Sequence, residues 1–125
     1  MTAKRAPSPS RKALKFADVR QLAMRLPGVE ENSSYGTPAL KVRGKLLVRL
    51  KEDNETIVLR VDFLEREHLI QSDPASFYFT DHYRNYPAVL VRLAAVDRQQ
   101  LSQLIEDAWR KAVTKKIRDE YDAQS

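Results

Sequence analysis

An alternation of side chains between residues 39 and 61 constrains this chain more than any other feature. Within their runs, Leu40, Val42, Leu46, Val48, Leu50, Ile57, Leu59 and Val61 share one parity, and Lys41, Arg43, Arg49, Lys51 and Arg60 share the other. Successive residues of a strand point to opposite faces, so the pattern predicts a sheet with one greasy and one basic face. The breaks at Arg43-Gly44-Lys45 and Glu52-Asp53-Asn54-Glu55 read as turns, which divides the run into strands at 39–42, 46–51 and 56–61. On either side the period is helical. Phe16, Val19, Leu22, Ala23 and Leu26 recur at helix spacing until Pro27-Gly28, and Leu101, Leu104, Ile105, Ala108, Trp109, Ala112 and Val113 form an apolar stripe behind an N-capping Asp97. Asp62 with Glu65 resembles a capping box for a short helix at 63–71, stopped by Ser72-Asp73-Pro74. Residues 77–80 and 88–93 add two strands, separated by the polar loop 81–87. The expected class is α+β, an antiparallel β-sheet backed by N- and C-terminal helices. The run after Lys115 is too polar to assign.

At 125 residues the chain is sized for a single core. It contains no cysteine, which excludes thiol catalysis, Cys-ligated zinc, iron–sulfur clusters and a disulfide framework. The formal charge of +5 is concentrated at one end, because residues 1–15 carry Lys4, Arg5, Arg11, Lys12 and Lys15 and no acid. The remainder is formally neutral. The organisation expected is a flexible basic tail at 1–15, one domain at 16–118 and a polar C-terminal tail at 119–125. No apolar run follows the first charges as in a secretory signal peptide, and none approaches the ~18 residues of a membrane span. A soluble, cytoplasmic, monomeric protein with no membrane association is the expectation.

The inventory for catalysis is thin. His68 falls inside a helix pattern beside Leu69 and reads as structural or superficial; His82, with Asp81, Tyr83 and Arg84, has the setting for a general base. There is no nucleophile elbow, no phosphate-cradling glycine loop and no paired histidine motif. Glu30 and Glu31 are adjacent in a loop pattern and need not converge on one ion. No catalytic residue, metal or cofactor is assigned.

Three strings, Leu26-Pro27-Gly28-Val29-Glu30-Glu31, Gly36-Thr37-Pro38-Ala39-Leu40-Lys41-Val42-Arg43-Gly44-Lys45 and Thr80-Asp81-His82-Tyr83-Arg84-Asn85-Tyr86-Pro87, resemble the MmcQ/YjbR family. The closing helix with Trp109 fits as well, and the likeness spans about residues 16–118 in order and spacing. It implies a small antiparallel sheet backed by helices, likened to frataxin and to secretion chaperones and described as a double-wing DNA-binding architecture. Two positions depart from the family's loop, Asn85 where it has glycine and Ala88 where it has tryptophan; asparagine tolerates a left-handed backbone.

Phosphate contacts need cations on an accessible surface, and residues 36–51 hold Lys41, Arg43, Lys45, Arg49 and Lys51 without an acid. The expected nucleic-acid-binding set is those five with Arg60, Tyr83, Arg84 and Tyr86, giving weak, non-enzymatic DNA binding to the phosphate backbone. The alternatives are a protein-interaction module of secretion-chaperone type and, further off, a small-ligand or enzymatic pocket around His82. Any half-buried sheet also needs a polar outer face, so the basic side chains have a second explanation in solvation alone.

Overall fold

A computed structural model of the chain describes residues 13–34 and 36–124. The predicted basic tail therefore lies largely outside the described residues. Helix α1 (Phe16–Met24) leads into six strands interrupted by α2, and the chain closes with two helices. The strands are β1 (Val29–Ser34), β2 (Thr37–Val42), β3 (Lys45–Leu50), β4 (Thr56–Arg60), β5 (Phe77–Tyr78) and β6 (Ala88–Arg92). Helix α2 (Phe63–Ser72) follows β4; α3 (Arg98–Ala112) and α4 (Lys115–Gln124) follow β6. All neighbours pair antiparallel, in the order β1-β2-β3-β4-β6-β5. This is the α+β class that the alternation predicts.

The turn chemistry works as the residue types dictate. A two-residue turn joins β2 to β3, with Arg43 at φ 54° and Gly44 at φ 77°, the left-handed pair that suits the twist of a hairpin. At the next turn Asp53 Oδ1 accepts from the backbone N–H of Glu55 and of Thr56, at 2.8 and 2.9 Å, while Asn54 takes φ 61°. Asp62 and Asp97 cap their helices by accepting from Glu65 N–H and Gln100 N–H at 2.8 and 2.9 Å. Asn85 is not among the positive-φ residues, so the exchange of the family's glycine needs no left-handed backbone here.

One face of the sheet is packed by α1 and α3. Val19, Leu22 and Ala23 of α1 and Leu101, Ile105, Ala108 and Trp109 of α3 meet Leu40, Val48, Ile57, Leu59, Val89 and Val91 in a single core. Trp109 is fully buried, and its indole N–H donates to Pro27 O at 2.8 Å. Arg98 ties α3 to Asp18 of α1 at 2.8 Å.

The structure departs from the sequence reading at three places. Leu40 pairs with Val48 but Lys41 with Leu46, so Leu47 is an extra residue in a β-bulge. Leu47 and Val48 both enter the helix-side core, and Leu46 is switched to the opposite face from the one its parity predicts. Within 29–33 of strand β1 only Val29 is buried; as an edge strand paired with β2 alone, it carries Glu30, Glu31 and Asn32 exposed. Residues assigned to a polar tail are helical to Gln124: α4 buries no residue fully but rests Ile117 and Tyr121 on the core, and Arg110 pairs with Asp122. Val113 leaves α3 with extended backbone, and Arg118 donates to Arg110 O and Val113 O, both at 2.9 Å.

Candidate nucleic-acid interface

The face away from α1 and α3 carries Lys41, Arg49, Lys51 and Arg60 of the predicted basic set, because residues opposite one another on paired strands share a side. Lys41 stands across from Leu46 and from Glu30; Arg49 stands across from Ala39 and Val58. The segment 79–87, including a single 3-10 turn at Asp81–Tyr83, folds over this face and makes a second small core with Val58, Tyr83, Ala88 and Leu90. Ala88, at the position of the family's tryptophan, is buried beneath that segment.

What fixes the loop is Arg66, on the first turns of α2. Its Nη1 donates to the carbonyls of Tyr83, Tyr86 and Ala88 at 2.8, 3.0 and 3.2 Å, and its Nη2 to that of Arg84 at 2.9 Å. The guanidinium also lies 4.0 Å from the Phe79 ring centroid and 5.0 Å from that of Phe63. Burial, and then the neighbouring Arg84 charge, pull its pKa below the ordinary arginine value. The sequence reading gives Arg66 no role, since an arginine in a short amphipathic helix reads as a solvent-facing residue.

Between the loop and the β3–β4 strands lies a cleft of about 350 Å³ lined by Leu46, Arg49, Glu52, Val58, His82, Tyr83 and Tyr86. A smaller recess shares Leu46, Val58 and Tyr86 and adds Arg60 and Pro87. Two corrections to the predicted set follow. Arg49 is buried, its Nη2 donating to Tyr83 Oη at 2.9 Å and its Nη1 to Thr37 Oγ1 and Leu50 O at 3.3 Å. Tyr83 is buried with it, so neither lies on the open surface expected of them; the alternation fixes which face Arg49 occupies, but the loop covering that face buries it. Lys45 pairs with Val42 on the helix-side face, and Arg43 sits in the turn itself, so these two stand apart from the cleft.

The other predicted residues divide more favourably. Lys41 flanks the cleft across from Leu46, and Lys51 reaches over Tyr83 with its Nζ 5.8 Å from the ring centroid. Arg60 is exposed beside Tyr86 and Pro87. Arg84 is exposed but held against Asp81. Tyr86 keeps 49% of its surface exposed and meets Tyr83 edge-on with centroids 6.0 Å apart. His82, the residue read as a potential base, meets Tyr83 edge-on at 4.8 Å. Among the described residues no group of three or more His, Asp or Glu side chains could hold a metal ion, and no helix is long and apolar enough to cross a membrane.

The crystal structure of Deinococcus radiodurans protein DR2400, with a domain named DUF419, superposes with a TM-score of 0.70 at 24% identity, over 86% of this chain and 88% of that one. At that identity the likeness is one of fold. Uncharacterized proteins of Mycobacterium tuberculosis (Rv2570) and Mycobacterium bovis (Mb2600) are each 46% identical over 41 residues. The match covers 33% of this chain and only 32% of the relative's length in each case. The YjbR family model matches residues 24–111, from the end of α1 through the sheet and the loop-covered cleft to the last turn of α3. Extending over well more than half the sequence, that match makes the chain a member of the YjbR family.

Proposed function

We propose that this protein is a non-enzymatic nucleic-acid-binding domain that holds the phosphate backbone around the cleft between β3 and the 79–87 loop. The observation that carries the reading is the grouping of Lys41, Lys51 and Arg60 around a cleft whose lining includes the half-exposed Tyr86. Cations that follow a backbone, with an aromatic ring for a base, are the two parts of sequence-tolerant binding. The basic residues at 1–12 add counterion-release affinity to whatever this face supplies.

Salt dependence tests the reading. Fluorescence anisotropy of a labelled oligonucleotide with the full chain should give a linear log–log dependence on salt. Changing Lys41, Lys51 and Arg60 together to glutamine should reduce the magnitude of its slope by about 2 for a single strand and about 3 for a duplex. An unchanged slope would leave the charges at 1–12 as the contact and remove this face from the account.

A second reading, a protein-docking module, is favoured by Phe63 and Leu64, which are 48% and 63% exposed side by side at the start of α2. It predicts that the oligonucleotide slope is indifferent to the three cleft substitutions.

A further inference from the structure

We infer that the cleft seats one unpaired nucleobase, so that single-stranded rather than duplex nucleic acid is the preferred partner. The inference rests on the nucleic-acid reading above and adds to it the class of ligand.

Its ground is a difference between rim and walls. The rim offers Lys41, Lys51 and Arg60 to phosphates; the walls offer Leu46, Val58 and the rings of Tyr83 and Tyr86. A duplex presents phosphates outward and keeps its base faces stacked, so it would occupy the rim and leave the walls wet. An unstacked base brings a flat face to Tyr86 and an apolar surface to Leu46 and Val58, while its flanking phosphates still reach the cations. The cleft, at about 350 Å³, falls at the small end of the ~300–1,000 Å³ typical of small-molecule sites.

The aromatic corner is also built before any ligand arrives. The Tyr83 hydroxyl accepts from buried Arg49 at 2.9 Å, which fixes the ring that Tyr86 meets. The backbone of Tyr86 is held at both ends of its peptide, the N–H donating to Tyr83 O at 3.0 Å and the carbonyl accepting from Arg66 at 3.0 Å. Its backbone is thus held in place while the ring, edge-on to Tyr83, remains about half exposed, which keeps the backbone ordering cost of binding low. Glu52, 3.8 Å from Arg49 and lining the same cleft, opposes entry of phosphate and holds the backbone at the rim. The same carboxylate is an acceptor for an exocyclic amino group of a base.

The test uses the full chain, a labelled single-stranded oligonucleotide and a hairpin duplex of the same sequence. Wild type should bind the single strand more tightly. Tyr86→Ala should weaken single-strand binding about ten-fold or more, within the ~5- to 150-fold that loss of one base–aromatic stack gives, and should leave the duplex unchanged; Tyr86→Phe should restore it. Because the Tyr86 ring is half exposed and its structural bonds are backbone ones, the alanine variant keeps the fold. The Lys41, Lys51 and Arg60 glutamine triple separates two failures. Loss of affinity in the triple with none in Tyr86→Ala, or equal binding of both nucleic acids, overturns the base-seating inference while the phosphate-binding reading stands. Wild-type affinity in the triple overturns both.

Discussion

Replacing Arg66 with alanine should lower stability by about 3 kcal/mol or more, because it removes a buried side chain that donates to three loop carbonyls and to that of Ala88 in β6 at once. A carbonyl that loses its donor carries the cost of its desolvation, and that cost falls on Arg84 O and the buried Ala88 O, since Tyr83 O and Tyr86 O keep backbone donors in Tyr86 N–H and Ala88 N–H at 3.0 and 2.7 Å. Arg66→Met separates the contributions. It keeps much of the packing on Phe79 but supplies no donor, so it should recover only part of the loss. Lysine would not substitute well, since the bonds are shared between two guanidinium nitrogens in a planar fork. Equilibrium urea unfolding checks this. A midpoint near wild type for both variants would mean that the loop holds its place over the sheet without this arginine.

Trp109→Ala should cost about 3–5 kcal/mol, the range for emptying a buried aromatic site. Here the loss has two parts. The indole fills the helix-side core between α3 and the sheet and meets the Tyr121 ring edge-on at 5.0 Å, and its N–H satisfies the carbonyl of Pro27 where α1 gives way to β1. Trp109→Phe retains much of the volume and loses the hydrogen bond, so it should fall between wild type and alanine. For a domain whose whole stability is about 5–15 kcal/mol, the alanine variant should show a strongly lowered unfolding midpoint. Native-like melting would place Trp109 outside the core.

The parts of this architecture legible in the sequence are those governed by local chemistry. Gly44 marks a hairpin turn, Asp62 and Asp97 cap helices, and the stripe from Leu101 to Ala112 belongs to one buried helix face. Features set by tertiary contact were hidden. Nothing in Leu46-Leu47-Val48 announces a bulge, because three apolar residues in a row fit either register. Strand β1 is polar because it lies at an edge, and α4 is polar because it rests only Ile117 and Tyr121 on the core. The candidate site divides in the same way. Alternation places Lys41, Arg49 and Lys51 on one face, but the burial of Arg49 and Tyr83 depends on a loop some thirty residues further along and on the arginine of α2 that anchors it. Arg66 has no signature of its own beyond being one arginine among many.

The central claim is that the face roofed by the 79–87 loop binds nucleic acid. A backbone amide ¹⁵N–¹H correlation spectrum of the full chain, recorded while a short single-stranded oligonucleotide is added at low salt, tests it most directly. The account predicts that the perturbed amides, beyond any in residues 1–12, cluster at Lys41, Leu46, Lys51, Arg60, His82 and Tyr86. Perturbations confined to residues 1–12, or gathered instead around Asp62, Glu65 and Lys111 between α2 and α3, would contradict it.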